Sequence, residues 1–210
     1  MKILASFVLL MFVSFPIQAK KLRFGPALEL GFTRPTQKEN ITSYGFSKAY
    51  GVCAGIGGKL LFEVNEKFLL DTGLYLTVRT AKHTYRDQAS VETSFAGLEV
   101  PVVANWKLAQ KEKYFYYVGL GINNAFGIGD IKVEAKALGQ TGTASGSYKE
   151  ANMTHYMPSL LLSNGWIFQV SEKIDLGLDF RLLFELLDRE KSDLKGFNVW
   201  SFEVITSLLW

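Results

Sequence analysis

The sequence predicts an all-β fold, an eight-stranded antiparallel transmembrane β-barrel with short periplasmic turns and longer external loops. Three observations predict it: an export signal at the start, strand-like runs in which apolar and polar residues alternate, and connections of alternating length. A side-chain period of two turns one face of each strand toward an apolar medium and the other toward a polar one. Because only a closed barrel satisfies the backbone of strands in lipid, we expect these runs to form a ring.

Residues 1–19 have the features of a cleaved signal peptide. Lys2 provides the positive start, residues 3–15 are apolar, and a cleavage region ends at Ala19. The apolar run is shorter than the roughly 20 residues of a spanning helix, which favours cleavage over a membrane anchor. We therefore expect a signal peptide at 1–19, one barrel domain at 20–210, and export to the outer membrane of a Gram-negative bacterium.

The runs with strand-like alternation number eight. They lie at about 22–32, 50–64, 68–79, 97–108, 114–126, 155–170, 174–185 and 198–210. In the sixth run Asn164 is in register with Trp166 and Phe168, which predicts a bulge or a shifted register. In the fourth run Pro101 cannot donate to a ladder, which predicts a bulge or a local break.

The charged residues of these runs lie on the faces opposite the large apolar residues. An Arg or Lys that faces lipid at the bilayer centre costs roughly 2–4 kcal/mol, so the polar faces are assigned to the lumen. An interior of eight strands is just wide enough to be filled by side chains, and buried charge is tolerated when it is paired. We predict a structural lumenal network of Arg23, Glu29, Lys59, Glu63, Arg79, Glu99, Asp179, Arg181 and Glu203.

The connections between the runs support the same topology. Short polar turns are predicted at 65–67, 110–113 and 171–173, and longer segments at about 33–48, 81–93, 127–153 and 188–195. Outer-membrane barrels have short turns on the periplasmic side and longer loops outside. The segment 127–153 is rich in small residues, and we expect it to be mobile or to extend the flanking strands beyond the membrane.

The last run ends in an aromatic residue, as the final strand of outer-membrane barrels generally does. Trp210 closes it and Phe202 lies on the same apolar face. We predict that these two residues form the signal read by the barrel-assembly machinery, and that this machinery and outer-membrane lipid are partners. Further aromatic residues near strand ends suit interfacial girdles: Tyr50, Trp106, Tyr114, Trp166 and Trp200.

Other functional classes find little support in the composition. The net charge of +3 comes without a concentrated basic patch, so nucleic-acid binding is not expected. Cys53 is the only cysteine and only two histidines are present, so we predict no disulfide, metal site or cofactor. His155 and Ser159 share a strand face but lie about 13 Å apart along it, and no Gly-x-Ser-x-Gly elbow occurs. No catalytic residues are predicted.

Two of the runs resemble the PorT-like family of outer-membrane β-barrels. Residues 97–107, with Leu-Glu-Val-Pro at 98–101, resemble the family's "LE-[IV]-P" strand, and residues 114–121 resemble its aromatic-then-glycine strand. Weaker similarities occur at 165–166, at 176–181 and at the aromatic end. The resemblance covers most of 22–210 and implies a small eight-stranded barrel. One member of that family is a component of a protein-secretion machine.

The sequence thus predicts a non-enzymatic integral outer-membrane barrel with a structural or partner-binding role, which includes an accessory role in a secretion complex. Two alternatives are an outer-membrane lipid-modifying hydrolase and a narrow solute channel. A soluble lipocalin-like barrel is disfavoured, because such barrels carry apolar residues inside and polar residues outside.

Overall fold

A computed structural model describes residues 21–36, 50–85, 88–150, 154–186 and 198–210, so the predicted signal peptide lies outside the described residues. The strands are β1 (Lys21–Thr36), β2 (Gly51–Glu63), β3 (Phe68–Tyr85), β4 (Ala89–Gln110), β5 (Tyr114–Ala137), β6 (Gln140–Ser147), β7 (Tyr156–Gln169), β8 (Asp175–Glu185) and β9 (Asn198–Leu209). Within these residues no helix is both long enough and apolar enough to cross a membrane.

Eight of the strands close into an antiparallel ring. Each strand from β1 to β5 pairs with the next, β5 also pairs with β7, and β7, β8 and β9 follow in order. The ring closes where β1 pairs with β9, in a register that sets Phe32 opposite Phe202. The predicted eight-stranded antiparallel fold is therefore confirmed.

Side chains alternate between the outside and the inside of this ring. On β1, Leu28, Leu30 and Phe32 are 57%, 65% and 68% exposed on the outer face, whereas Ala27 and Glu29 are buried inside. Large apolar side chains line the outer faces of the other ring strands in the same way. An outer surface of this kind suits hydrocarbon and is inverted relative to a soluble barrel.

Beyond one end of the ring, β3, β4, β5 and β6 continue as a projecting sheet, here called the external sheet. The segment predicted as a loop at 81–93 is instead mostly β3 and β4, which are joined by residues 86–88. A loop was expected because its residues lack strict alternation. The segment 127–153 extends β5 and adds β6, as one of the two predictions for it stated.

The bulge predicted at Asn164 is wrong. β7 pairs without interruption on both sides, and Asn164 lies between Val118 on β5 and Phe180 on β8. The residues on either side of Asn164 face inward, as the alternation of the strand requires, so the Asn164 amide faces outward. The register shifts lie instead between β4 and β5, near Ser94 and near Lys107.

Pro101 does break a ladder locally. The pairing of β3 with β4 stops after Thr72 opposite Val102 and resumes at Tyr75 opposite Glu99, in the same register. The Thr72 hydroxyl donates to the Pro101 carbonyl at 2.7 Å. The proline therefore costs ladder hydrogen bonds without moving any side chain to the other face.

Candidate functional site: the lumenal charge network

All nine lumenal residues named from the sequence lie on the inner faces of their strands. Eight of them are buried, and Glu63, near the short-turn end, has a side chain that is 15% exposed. Their charged groups form three layers along the barrel axis, which we call the lower, middle and outer layers. The lower layer lies at the end with the short turns and both ends of the barrel domain.

The lower layer is centred on Arg23. Its guanidinium lies 2.6 Å from Asp175 and 3.2 Å from Glu63, and Lys107 also pairs with Glu63. The Phe115 ring lies under this layer, 5.5 Å from the Arg23 guanidinium carbon. An apolar cluster packs around that ring and fills this end of the lumen, and it consists of Leu61, Leu69, Phe115, Tyr117, Ile167 and Leu209.

The middle layer holds a lysine that is fully removed from solvent. Lys59 Nζ lies 2.5 Å from Asp179 and 3.2 Å from Asp71, and none of the three side chains has any exposed area. The Tyr117 hydroxyl donates to Asp179 as well. Arg181 pairs at 3.1 Å with the same Asp71 oxygen, Oδ2, that Lys59 contacts. Two cations therefore face two carboxylates, and the layer is electrically balanced.

The outer layer is built around Arg79. Its guanidinium lies 2.7 Å from Glu99, 2.7 Å from Glu203 and 3.9 Å from Glu29. Arg79 Nη1 also donates to the Ser201 hydroxyl at 3.0 Å. One guanidinium thus serves three carboxylates that come from three different strands.

Glu99 has more donors than the other two acids. It accepts from Arg79 Nε at 2.9 Å, from the Thr77 hydroxyl at 2.7 Å and from the Asn123 amide. Glu29 is 2% exposed, and within the described chain its close polar contacts are the Cys53 thiol at 3.7 Å and the distant Arg79. Glu29 is therefore the least stabilised carboxylate of the network.

The charges of the network do not cancel. Its ion pairs join five cations to seven carboxylates. The lower and middle layers each pair two cations with two carboxylates, so the two acids in excess belong to the outer layer. Buried like charges repel strongly, and this layer is the electrostatically costly part of the lumen.

Three residues of the outer layer could offer ligand atoms to a metal ion. The Cys53 thiol and the Glu29 and Glu203 carboxylates have ligand atoms within 4.8 Å of one another. The Arg79 guanidinium already lies on Glu203 and supplies a positive charge at this position. The arrangement fits an ion-paired cluster with a packed thiol.

Among the described residues, the cavity next to the outer layer is small. The cavity at the outer mouth, between Arg79, Glu99, Asn123 and Ser201, has a volume of about 10 Å³. That is room for one water molecule. With Arg79 spanning the lumen beneath it and the apolar cluster filling the opposite end, the barrel is packed rather than open.

Of the two candidate catalytic residues, Ser159 lines the same small cavity as Arg79 and Glu99, and His155 is not among the residues that line it. His155 is exposed at the external end, where its ring packs on Tyr148 at 4.6 Å and Nδ1 lies 3.4 Å from the Gly127 carbonyl. Ser159 is buried on the inner face of β7. The structure does not bring the two side chains together.

Sequence reasoning left several members out of the network: Asp71, Lys107 and Asp175. Each sits at an inward position of a strand already recognised as amphipathic, so parity alone identifies it. What parity cannot supply is the partner across the lumen, since Lys59 and Asp179 are 120 residues apart in the chain.

The two residues of the predicted assembly signal both face outward. Trp210 is 51% exposed beside Phe24 of β1, and Phe202 lies 6.1 Å from Phe180. They therefore belong to the outer surface, close to the seam between the first and last strands.

No family model matches the chain, and no curated protein matches it. The attachment invasion locus protein Ail of Yersinia pestis is a similar solved structure, with 13% identity, coverage of 90% of this chain and 98% of that chain, and a TM-score of 0.39. Neisserial surface protein A has 11% identity, coverage of 89% and 95%, and a TM-score of 0.42. The outer membrane protein OprG from Pseudomonas aeruginosa has 10% identity, coverage of 90% and 91%, and a TM-score of 0.42.

The class of the protein rests on its own geometry. A closed eight-stranded ring, an apolar outer surface and a polar ion-paired lumen occur together only where the solvent around the ring is hydrocarbon. The chain is a small membrane-spanning β-barrel of the outer-membrane type.

Proposed function

We propose that the protein is a non-enzymatic, non-conducting outer-membrane barrel that acts by holding its external sheet at the cell surface for a partner protein. The observation that carries this proposal is the packed lumen, in which Arg79 and Lys59 are tied to carboxylates of other strands. A filled lumen has no room for a solute path. The surfaces that remain accessible lie outside the ring.

The external sheet supports this role because β6 adds nothing to the closure of the ring. Of the strands that the structure describes, β6 pairs only with β5, over residues 130–137 of β5. A strand outside the ring with no structural duty is the part of the chain most readily explained by recognition. In its more specific form, the proposal is that the protein belongs to the PorT-like family and acts as an accessory of a secretion complex.

The test replaces residues 130–147 by a short turn and leaves the ring intact. In native envelopes treated with a crosslinker, we expect the wild type to give a discrete crosslinked species that the shortened protein lacks. Both proteins must show the same heat-dependent gel mobility, which proves equal insertion. An unchanged crosslinking pattern would show that partner binding does not involve the external sheet.

A further inference from the structure

The outer edge of β6 has no strand partner among the described residues. β6 pairs on one side with β5, and residues 140–145 are all exposed. Natural edges are usually protected by lysine, proline or a bulge, because an open edge pairs with other chains. The sequence of β6, Gln-Thr-Gly-Thr-Ala-Ser-Gly-Ser, has no charged residue and no proline.

The direction of the backbone groups follows from the hairpin register. Ala137 and Gln140 flank a two-residue turn and face each other, so alternate residues from Gln140 onward bond to β5. The N–H and C=O groups of Thr141, Thr143 and Ser145 therefore point away from the sheet. Ser147, next in this series, donates its N–H to the Glu150 carboxylate at 2.7 Å, which agrees with that direction and ends the open edge.

The two faces beside this edge differ in chemistry. On one face Gly142 and Ala144 lie next to Val133, which packs against a buried apolar cluster. On the other face Ser145 lies opposite Lys132, an exposed lysine without an ion pair among the described residues. A strand added at the edge would therefore meet small and apolar groups on one side. On the other side it would meet Lys132 next to the Glu134–Lys136 ion pair, a face with one cation in excess.

The turn that begins the edge breaks a local rule. Leu138 has a φ of 50° and is 90% exposed, at a position where asparagine, aspartate or glycine is usual. The left-handed conformation is unfavourable for leucine, and exposure gains nothing for an apolar side chain. Such local costs are characteristic of functional sites.

We propose that the β6 edge binds an extended segment of a partner protein by strand addition, and that this segment alternates apolar with polar residues and places an acidic residue near Lys132. An added strand would lie roughly 10 Å from β5, which is within the combined reach of a lysine and a glutamate across Ser145. This inference rests on the proposed function, since it names the chemistry of the partner that the external sheet would hold.

A second copy of the chain fits the edge less well. Two barrels in one membrane point the same way, so their β6 strands would meet in parallel, and parallel pairing is slightly less stable. Neither copy would bring an acidic residue on β6 to meet Lys132 of the other, because β6 has none.

The experiment uses the full barrel in detergent and a labelled peptide, acetyl-(Thr-Val-Glu-Val)₂-amide, followed by fluorescence anisotropy. Thr143→Pro removes one outward N–H and leaves the β5 ladder intact, whereas Thr143→Ala keeps that N–H and is the matched control. We expect saturable binding to the wild type and to T143A, and at least tenfold weaker binding to T143P. Equal affinities for T143P and T143A, or no binding to the wild type, would overturn the proposal.

Two further variants test the chemistry beside the edge. K132E should weaken binding of the glutamate peptide and be rescued by a peptide with lysine in place of glutamate. L138N should weaken binding while it raises the thermal stability of the hairpin, opposite signs that a purely structural leucine would not produce. A wild-type dimer that T143P dissociates without peptide would assign the edge to a second copy and reject the partner segment.

These outcomes are separable from failure of the proposed function. If the shortened protein loses its crosslinked partner while T143P and T143A bind the peptide alike, the external sheet binds a partner by another surface.

Discussion

Trp210 and Phe24 close the barrel at its seam. Their backbones exchange two hydrogen bonds, of 3.0 and 3.2 Å, and their rings meet edge to face with centroids 5.4 Å apart. The last residue of the chain is thereby fixed to the first strand on the lipid side. The aromatic residue that ends the sequence therefore also makes a structural contact across the seam.

Deletion of Trp210 is expected to lower the amount of inserted barrel several-fold, because it removes both backbone bonds and the ring contact at the seam. Trp210→Phe keeps an aromatic end and should insert close to the wild-type level. The measurement is the heat-modifiable fraction of the protein in isolated outer membranes. Wild-type insertion without residue 210 would refute an assembly role for this residue.

The charge imbalance of the outer layer predicts opposite effects for two similar substitutions. Glu99→Gln should lower the free energy of unfolding by about 1–3 kcal/mol, because Glu99 accepts from Arg79, Thr77 and Asn123. Glu29→Gln should leave stability unchanged or raise it, because it removes the most weakly paired of three acids that share one cation. Denaturant unfolding in detergent measures both. A larger loss for E29Q than for E99Q would contradict the layer model.

Two strand glycines are expected to differ in their tolerance of a methyl group. A Cβ at Gly119 would lie 2.7 Å from the Ser163 hydroxyl and 2.8 Å from the Ala104 carbonyl oxygen, so G119A should cost about 1–3 kcal/mol. At Gly58, on the outer face, the nearest atom is 4.0 Å away. G58A should be neutral or stabilise by about 0.4–1 kcal/mol through the unfolded chain. The free energies of unfolding of the two variants, measured with denaturant in the same detergent, test this difference.

The open edge of β6 ends in a hydrogen bond that titrates. The Ser147 N–H and hydroxyl hold the pKa of the Glu150 carboxyl below its ordinary value of 4.5. A lowered pKa means that this interaction is present above the ordinary value and is lost as the pH falls through the folded pKa. The Ser147 amide resonance should shift with a midpoint below 4.5, and Glu150→Gln should abolish the shift. A Ser147 shift that persists in E150Q would assign the titration to another group.

Much of the architecture could be predicted because it depends on the alternation of inward and outward side chains along each strand. The alternation of apolar and polar residues identifies the ring strands and predicts that Arg23, Lys59 and Arg79 face inward, because every second residue of a strand lies on the same face. The short turns predicted at 65–67, 110–113 and 171–173 followed from polar composition, and Gln110 proves to be the last residue of β4. These are local properties, which can be predicted from one short segment of sequence.

What could not be predicted depends on distant residues. The partners of Lys59 come from β3 and β8, and no local pattern links them. The external sheet was predicted only as one of two alternatives for 127–153. Most residues of β6 and of the end of β5 are exposed, so alternation fades there and a strand resembles a loop. The bulge expected at Asn164 failed because one polar residue on an outer face does not shift a register fixed by its neighbours.

The central claim is that paired charges fill the lumen and leave no solute path, and current through a planar lipid bilayer tests it most directly. With the purified wild-type barrel inserted, and a porin in a parallel membrane to show that channels are detected, we predict no discrete conductance steps at moderate voltage. Reproducible steps from the wild-type protein, lost on substitution of Arg181 or Arg79, would contradict the account and make the barrel a channel.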